Sequence, residues 1–305
     1  MGGSEQINNK LRRDKKFDLD IASLWLQDWV GRRKTTLATR LWWNWTVDRK
    51  TYPDWESFIF NNQDSGIEVM AYINPFLTPV EGKYYPIRDY YKEAKDKGYL
   101  VLGENHEEFP VSSGGFNGYL IDFTNPSARS WLKEIIKIEF LDRGIKGWMA
   151  DFAEALPMNS ILYDGSESKT YHNQYPYEWA KIQNEAMREW ELENPSRQKL
   201  DDVVVFHRSG FTKSPSEVRL FWIGDQLVSW DKHDGLKSAL TALISSGLSG
   251  QTINHSDIGG YVSIKFPLLP SVVRSRELLK RWIEFNAFTS FFRTHEGTNP
   301  KLGTQ

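Results

Sequence analysis

Trp148-Met149-Ala150-Asp151-Phe152-Ala153-Glu154 and Trp222-Ile223-Gly224-Asp225-Gln226 each end an apolar run on a single aspartate. Such runs read as buried strands, which puts both carboxyls at strand ends. Two carboxyls facing one cleft are the minimum apparatus for breaking a glycosidic bond. One must be ionised to attack the anomeric carbon and one protonated to help the leaving oxygen depart, and they stand about 5 to 5.5 Å apart where configuration is retained. Their environments must then push the two pKa values apart. Spacing alone does not bring Asp151 and Asp225 together, and either one, taken singly, also reads as a satisfied structural carboxylate.

Other polar residues collect where apolar runs stop: Gln27 and Asp28, Asn74, Arg208, then His255 and Asp257. Arg40-Leu41-Trp42-Trp43-Asn44-Trp45 sets a guanidinium beside indoles, which suits an anionic group. The plainer reading there is a surface arginine near core tryptophans. Arg32, Arg33 and Lys34 read as a solvated basic turn, and His207 as filler on a strand. His106 and His172 fall in loops without metal-ligand spacing, so neither a metal nor another cofactor is expected. Gly2-Gly3 and Gly114-Gly115 are too short for a phosphate-binding loop.

The elements that must position these groups alternate. Strand-like runs fall at 21–27, 67–73, 119–123, 145–151, 203–207, 219–223 and 251–255. Helix-like stretches fall at 5–16, 54–64, 87–97, 126–143, 178–193, 235–246 and 276–289. The clearest helix opens on Asn125-Pro126, a cap followed by a first-turn proline, and stops at Gly144. Trp131, Ile135, Ile138 and Leu141 recur at threes and fours and predict one buried stripe. Alternating strand and helix implies an α/β fold of parallel strands with helices outside. In a (β/α)8 barrel the strand ends share one rim, where active sites sit; a doubly wound open sheet would also use strand ends. Segments 159–173 and 80–118 read as long loops that shape a pocket, and 297–305 as a loose tail.

Composition sets the outer limits. A chain of 305 residues, 40% hydrophobic, can bury one large core. Net charge of −2 gives no nucleic-acid footprint. Thirteen Trp, 13 Tyr and 17 Phe suit sugar faces but serve core packing first. The absence of cysteine rules out disulfides and fits a reducing, cytoplasmic compartment. The opening MGGSEQINNKLRRDKK lacks the apolar stretch of a signal peptide, and no run is long enough for a membrane helix.

The segments WLQDWVG, RLWWNW, YINPF, DFTNP, GWMADFAEALP, FHRSGFTKSP, WIGDQ, HSDIGGY and FFRTHEG occur in one order from about residue 2 to 297. In that order they resemble glycoside hydrolase family 31, and within it the sulfoquinovosidases. The resemblance implies a (β/α)8 TIM barrel and an α-glycosidase that retains configuration, with Asp151 as nucleophile and Asp225 as general acid/base. It implies that Arg208, His255 and Asp257 hold sugar hydroxyls. It also implies that Gln27, Arg40, Trp43 and Tyr261 read the sulfonate, the last through an ordered water. Ordinary α-glucosidases of the family usually carry an aspartate where Gln27 stands. A neutral amide removes repulsion from a permanent anion, and Arg40 adds attraction. The implied substrate is an α-sulfoquinovoside, such as sulfoquinovosyl diacylglycerol or its glycerol form.

The resemblance begins at Gly2-Gly3-Ser4-Glu5, just after the place of the family's first barrel strand. Residues 1–305 therefore read as the catalytic barrel without flanking N-terminal and C-terminal β domains, its first strand and last helix missing. An unclosed sheet leaves backbone groups at its edges, so poor stability and weak activity are expected of the chain alone. Two other readings stand beside the first: an α-glucosidase or α-xylosidase of the same family, and an inactive fragment that binds sugar or a partner. The oligomeric state is not legible.

Overall fold

The computed structural model describes residues 2–35, 39–83, 88–197, 200–264 and 271–298. The chain divides into two compact units, Met1–Val205 with Ser209–Glu217, and Phe206–Arg208 with Val218–Gln305. Among the described residues the strands are β1 (Ser23–Trp25), β2 (Arg32–Lys34), β3 (Thr39–Leu41), β4 (Glu68–Ile73), β5 (Phe76–Leu77), β6 (Val111–Ser112), β7 (Asn117–Leu120), β8 (Gly147–Ala150), β9 (Val204–His207), β10 (Leu220–Trp222) and β11 (Asn254–His255). The α-helices are α1 (Gly3–Lys15), α2 (Trp55–Asp64), α3 (Tyr90–Asp96), α4 (Pro126–Ile136), α5 (Ser168–Tyr171), α6 (Tyr175–Glu193), α7 (Leu236–Leu248) and α8 (Arg276–Asn286). The expected start of the third helix at Ile87 lies outside the described residues, as do Met1 and 299–305 of the expected loose tail.

The first unit is built on a parallel ladder in which β1 pairs with β4 and β4 with β8. Val204 N–H donates to Lys146 O at 3.0 Å just ahead of β8. Val69, Ala71 and Ile73 of β4 and Trp148, Met149 and Ala150 of β8 are all fully buried. Burial on both faces is what parallel strands covered by helices require, and it explains why these runs are continuously apolar. α4 packs on α6 and precedes β8. Its cap is as expected, with Asn125 Oδ1 accepting from Ser127 N at 2.9 Å and Ala128 N at 3.4 Å.

Two expectations for this unit need correction. The helix predicted over 126–143 is α-helical only to Ile136 and continues as a π-helical turn, Lys137–Leu141. The wider turn rotates the register, so Ile138, expected in the buried stripe, is 39% exposed, while Lys137 and Glu139 turn inward. Both buried charges are paired: Lys137 Nζ with Glu134 and Glu193, each at 2.9 Å, and Glu139 with Arg143 at 2.9 Å. Tyr90 Oη also donates to Glu139 Oε1 at 3.0 Å. The run expected as a strand at 119–123 is β7, which belongs to a separate antiparallel sheet in the order β5-β7-β6. Its burial alternates, with Gly118 and Leu120 inside and Asn117 outside, the mark of a sheet packed on one face. The stretch 80–118, read as a long loop with small insertions around the helix expected at 87–97, carries that helix as α3 and, beyond it, β6 and the start of β7, and 159–173 carries α5.

In the second unit Phe206 and His207 of β9 pair in parallel with Leu220 and Phe221, and β10 pairs in parallel with β11. A core of Val228, Ala239, Ile258, Leu278 and Trp282 lies under α7 and α8. Ser256 Oγ, fully buried, accepts from Trp282 Nε1 at 2.9 Å and Asn286 Nδ2 at 3.1 Å, tying α8 to the end of β11. Both units show the expected α/β pattern of parallel strands with helices. Among the described residues, neither unit alone closes an eight-stranded barrel.

Candidate active site

Asp151 directly follows β8 in the first unit and is 6% exposed. Its N–H donates to Ile73 O at 2.9 Å, which continues the β4–β8 ladder one residue past the strand. Tyr72, near the end of β4, donates its hydroxyl to Asp151 Oδ2 at 2.7 Å. Asn74 Nδ2 donates to the Tyr72 hydroxyl oxygen at 3.1 Å, and Asn74 Oδ1 accepts from Phe76 N at 3.0 Å. Phe152 and Ala153, immediately after Asp151, hold φ of 58° and 82°. Two consecutive non-glycine residues there cost about 1–3 kcal/mol each and are characteristic of functional turns. Ser209 Oγ helps to hold this turn by donating to Phe152 O at 2.5 Å.

The strained turn delivers the Phe152 ring to an aromatic cluster. Trp43 stacks on Phe76 at 5.1 Å, and the rings of Phe116 and Phe152 meet it edge-on at 4.8 Å and 5.4 Å. Trp43 is 5% exposed, and Thr78 N–H donates to its carbonyl at 2.9 Å. Gly118 makes room for it: a Cβ there would stand 2.8 Å from the Trp43 ring and 3.0 Å from Phe76.

Arg40 lies on the β2–β3 hairpin, directly across from Arg33. Directly opposed residues of an antiparallel pair share a face of the sheet. Arg40 is exposed and lies against Gly114, where a Cβ would fall 2.6 Å from Nη2. Arg33, read from sequence as part of a solvated turn, is instead half-buried, with its guanidinium 3.7 Å from the Phe116 ring centroid and 4.7 Å from that of Trp42. Burial pulls its pKa down to about 10. Gln27 opens the short 3-10 turn Gln27–Val30 after β1 and is half-buried. Its neighbour Asp28 is structural: it accepts from Tyr52 Oη at 2.7 Å and Gly2 N at 3.0 Å.

The second unit gathers the remaining predicted residues around two arginines. Arg208 Nη1 stands 3.7 Å from Asp225 Oδ2. Arg293 donates from Nε to His255 Nε2 at 3.2 Å and from Nη2 to Asp257 Oδ1. His255 therefore acts as a neutral acceptor, and burial, followed by the Arg293 charge, holds its pKa well below the ordinary value. The Tyr261 ring meets that of His295 at 4.5 Å and 63°. His207, also in this unit, is kept neutral by burial, with its pKa near 3. Among the described residues, no three His, Cys, Asp or Glu side chains are grouped to hold a metal, and no helix is long and apolar enough to cross a membrane.

Sequence reasoning left four residues of these clusters without a role. Tyr72 and Asn74 stand in YINPF and Arg293 and His295 in FFRTHEG, so their signal was present as motif but not as chemistry.

Parallel strands followed by polar side chains define an α/β-barrel type of site. Residues 4–302 match the family described as "Glycosyl hydrolases family 31 TIM-barrel domain", and the chain belongs to that family. It is 38% identical to a sulfoquinovosidase of Escherichia coli (strain K12) over 299 residues, which is 98% of this chain and 41% of that protein. It is 38% identical to a sulfoquinovosidase of Agrobacterium fabrum over 308 residues, 100% of this chain and 44% of that one. A solved family 31 sulfoquinovosidase from E. rectale, in complex with an aza-sugar inhibitor, superposes with a TM-score of 0.90 at 39% identity, covering 100% of this chain and 43% of the other. The chain spans less than half the length of these relatives.

Proposed function

We propose that the chain carries the catalytic barrel of a retaining α-glycosidase acting on α-sulfoquinovosides, small or lipid-linked. One observation carries the reading: in the first unit the buried, tyrosine-held Asp151 is followed in the chain by Phe152, whose ring meets the indole of Trp43. A nucleophile and a wall of the sugar pocket are thereby coupled through one residue. The long likeness to sulfoquinovosidases supports the choice of sugar.

In this reading Asp151 attacks C1 as the bond from C1 to the leaving oxygen breaks, and Asp225 gives that oxygen its proton. Asp225, now a carboxylate, then takes a proton from water. The water oxygen bonds to C1, and the ester to Asp151 breaks. Arg208, His255 and Asp257 hold hydroxyls, with Arg293 fixing the last two. Arg40, Gln27, Trp43 and Tyr261 take the sulfonate, and the charge of Arg33, across the strand pair from Arg40, adds to the field that favours an anion.

Hydrolysis of nitrophenyl α-sulfoquinovoside and nitrophenyl α-glucoside, measured side by side, tests the proposal. Preference for the sulfonated sugar, lost in Asp151→Asn, is expected. Preference for the glucoside would reject the sugar, and binding without turnover would reject the enzyme.

A further inference from the structure

Asp151, Tyr72 and Asn74 form a chain of hydrogen bonds whose direction is set at its far end. Phe76 N–H can only donate, so the side-chain atom of Asn74 that meets it, at 3.0 Å, is the carbonyl oxygen. The Asn74 amide nitrogen is then turned toward Tyr72 and donates to its hydroxyl oxygen at 3.1 Å. That bond occupies the phenolic oxygen from the Asn74 side and leaves its proton directed at Asp151 Oδ2, 2.7 Å away. All three side chains are buried: Asn74 is 0% exposed, Tyr72 2% and Asp151 6%. The Tyr72 ring is itself fixed. Its backbone carbonyl accepts from Trp29 Nε1 at 2.9 Å, and its ring lies against Trp45 at 6.1 Å.

We propose that Tyr72 is a positioning residue for the nucleophile: its hydroxyl, oriented by Asn74, holds Asp151 Oδ2 and so assigns the attack on C1 to Oδ1. A neutral donor suits this task. It favours the ionised carboxyl, as a nucleophile requires, without the full charge of a lysine or arginine that would blunt its attack. When the glycosyl ester forms on Oδ1, Oδ2 becomes a carbonyl oxygen and still accepts from the same hydroxyl. The bond therefore serves both displacement steps without rearrangement. The role rests on the retaining-glycosidase reading above.

The test is Tyr72→Phe in the full chain, which removes one oxygen and preserves the ring. With a saturating substrate, kcat should fall at least about tenfold while KM changes little, because the lost contact orients a reacting atom. The acidic limb of kcat/KM should move to higher pH by about one unit, since the ionised nucleophile loses a donor. A carbon-13 titration of the Asp151 carboxyl, assigned by comparison with Asp151→Asn, should move the same way. A titration and a kcat that stay unchanged in the folded variant would overturn the proposal.

Should Tyr72→Phe fail to fold, the unsubstituted chain decides. Its Tyr72 hydroxyl proton should be slow to exchange, lie close to the Asn74 amide protons, and shift in Asp151→Asn. A hydroxyl proton that exchanges freely or ignores that substitution refutes the relay. An unsubstituted chain that cleaves no α-glycoside would reject the functional reading, while the carboxyl titration would still decide for or against Tyr72.

Discussion

The ring of Phe152 meets the indole of Trp43 edge-on at 5.4 Å and 66°, so the residue that follows Asp151 in sequence rests on the side chain expected to line the sulfonate pocket. Phe152 reaches that position only because its φ is 58°. Disturbing the indole therefore disturbs the turn that holds the nucleophile. Trp43→Phe should lower stability by about 1–3 kcal/mol, as partial loss of a buried ring does. It should also lower kcat and raise KM together, rather than KM alone. Urea unfolding and steady-state kinetics on one preparation would check both, and an effect confined to KM would show that Trp43 only binds.

Gly118 offers a second probe of the same indole. A methyl there would approach Trp43 to 2.8 Å, closer than carbon atoms pack. Gly118→Ala should cost about 1–3 kcal/mol through overpacking. Turnover should fall with it, because the indole that meets Phe152 must shift. A stable, fully active Gly118→Ala chain would contradict the placement of Trp43.

Arg40 should discriminate between sugars. Losing a charge-assisted donor costs about 1.5–3 kcal/mol where its partner is present, which is roughly ten- to more than a hundredfold in kcat/KM. Arg40→Gln should impose that loss on the sulfonated substrate and leave the α-glucoside within about threefold, since no anion is present there to lose. Equal losses on both substrates would remove Arg40 from sulfonate recognition.

Acid should unfold the second unit through its histidines. Burial holds His207 at about 3 and holds His255 and His295 well below the ordinary value. In the unfolded chain each titrates near about 6.5. Below that pH the unfolded chain takes up protons that the folded chain refuses. The stability these groups confer is thus fully present above about pH 6.5 and is lost as the pH falls, by up to about 1.4 kcal/mol per pH unit for each histidine. Urea midpoints taken between about pH 7 and pH 5 should fall accordingly. His207→Leu should flatten the slope by about one proton, and an unchanged slope would show that His207 does not stay neutral.

Periodicity and punctuation carried much of the fold. The runs that became β4 and β8 were legible because strands buried on both faces must be apolar throughout, and the cap of α4 because Asn-Pro suits a helix start. The π-helical turn after Ile136 was not legible, because one extra residue in a turn leaves composition unchanged while rotating every later side chain. β7 looked like another parallel strand, since pairing direction is not written in an apolar run.

The candidate site divides in the same way. Asp151, Asp225, Arg40, Trp43 and Arg208 could be singled out by residue type and motif, because carboxylates, guanidinium groups and indoles announce their chemistry. Tyr72 and Arg293 could not, and Asn74 stood out only as a polar residue at a strand end, because their importance lies in which atom they meet. Tyr72 stands 79 positions from Asp151 and Arg293 stands 38 from His255. The same phenol two residues from another asparagine would be an ordinary core side chain. Only the parallel pairing of β4 with β8, which sets Tyr72 beside Met149 and carries the chain one bond further to Asp151, turns it toward the carboxylate. Residue chemistry is local to the chain, whereas the direction of a hydrogen bond is decided by the packing that brings distant segments together.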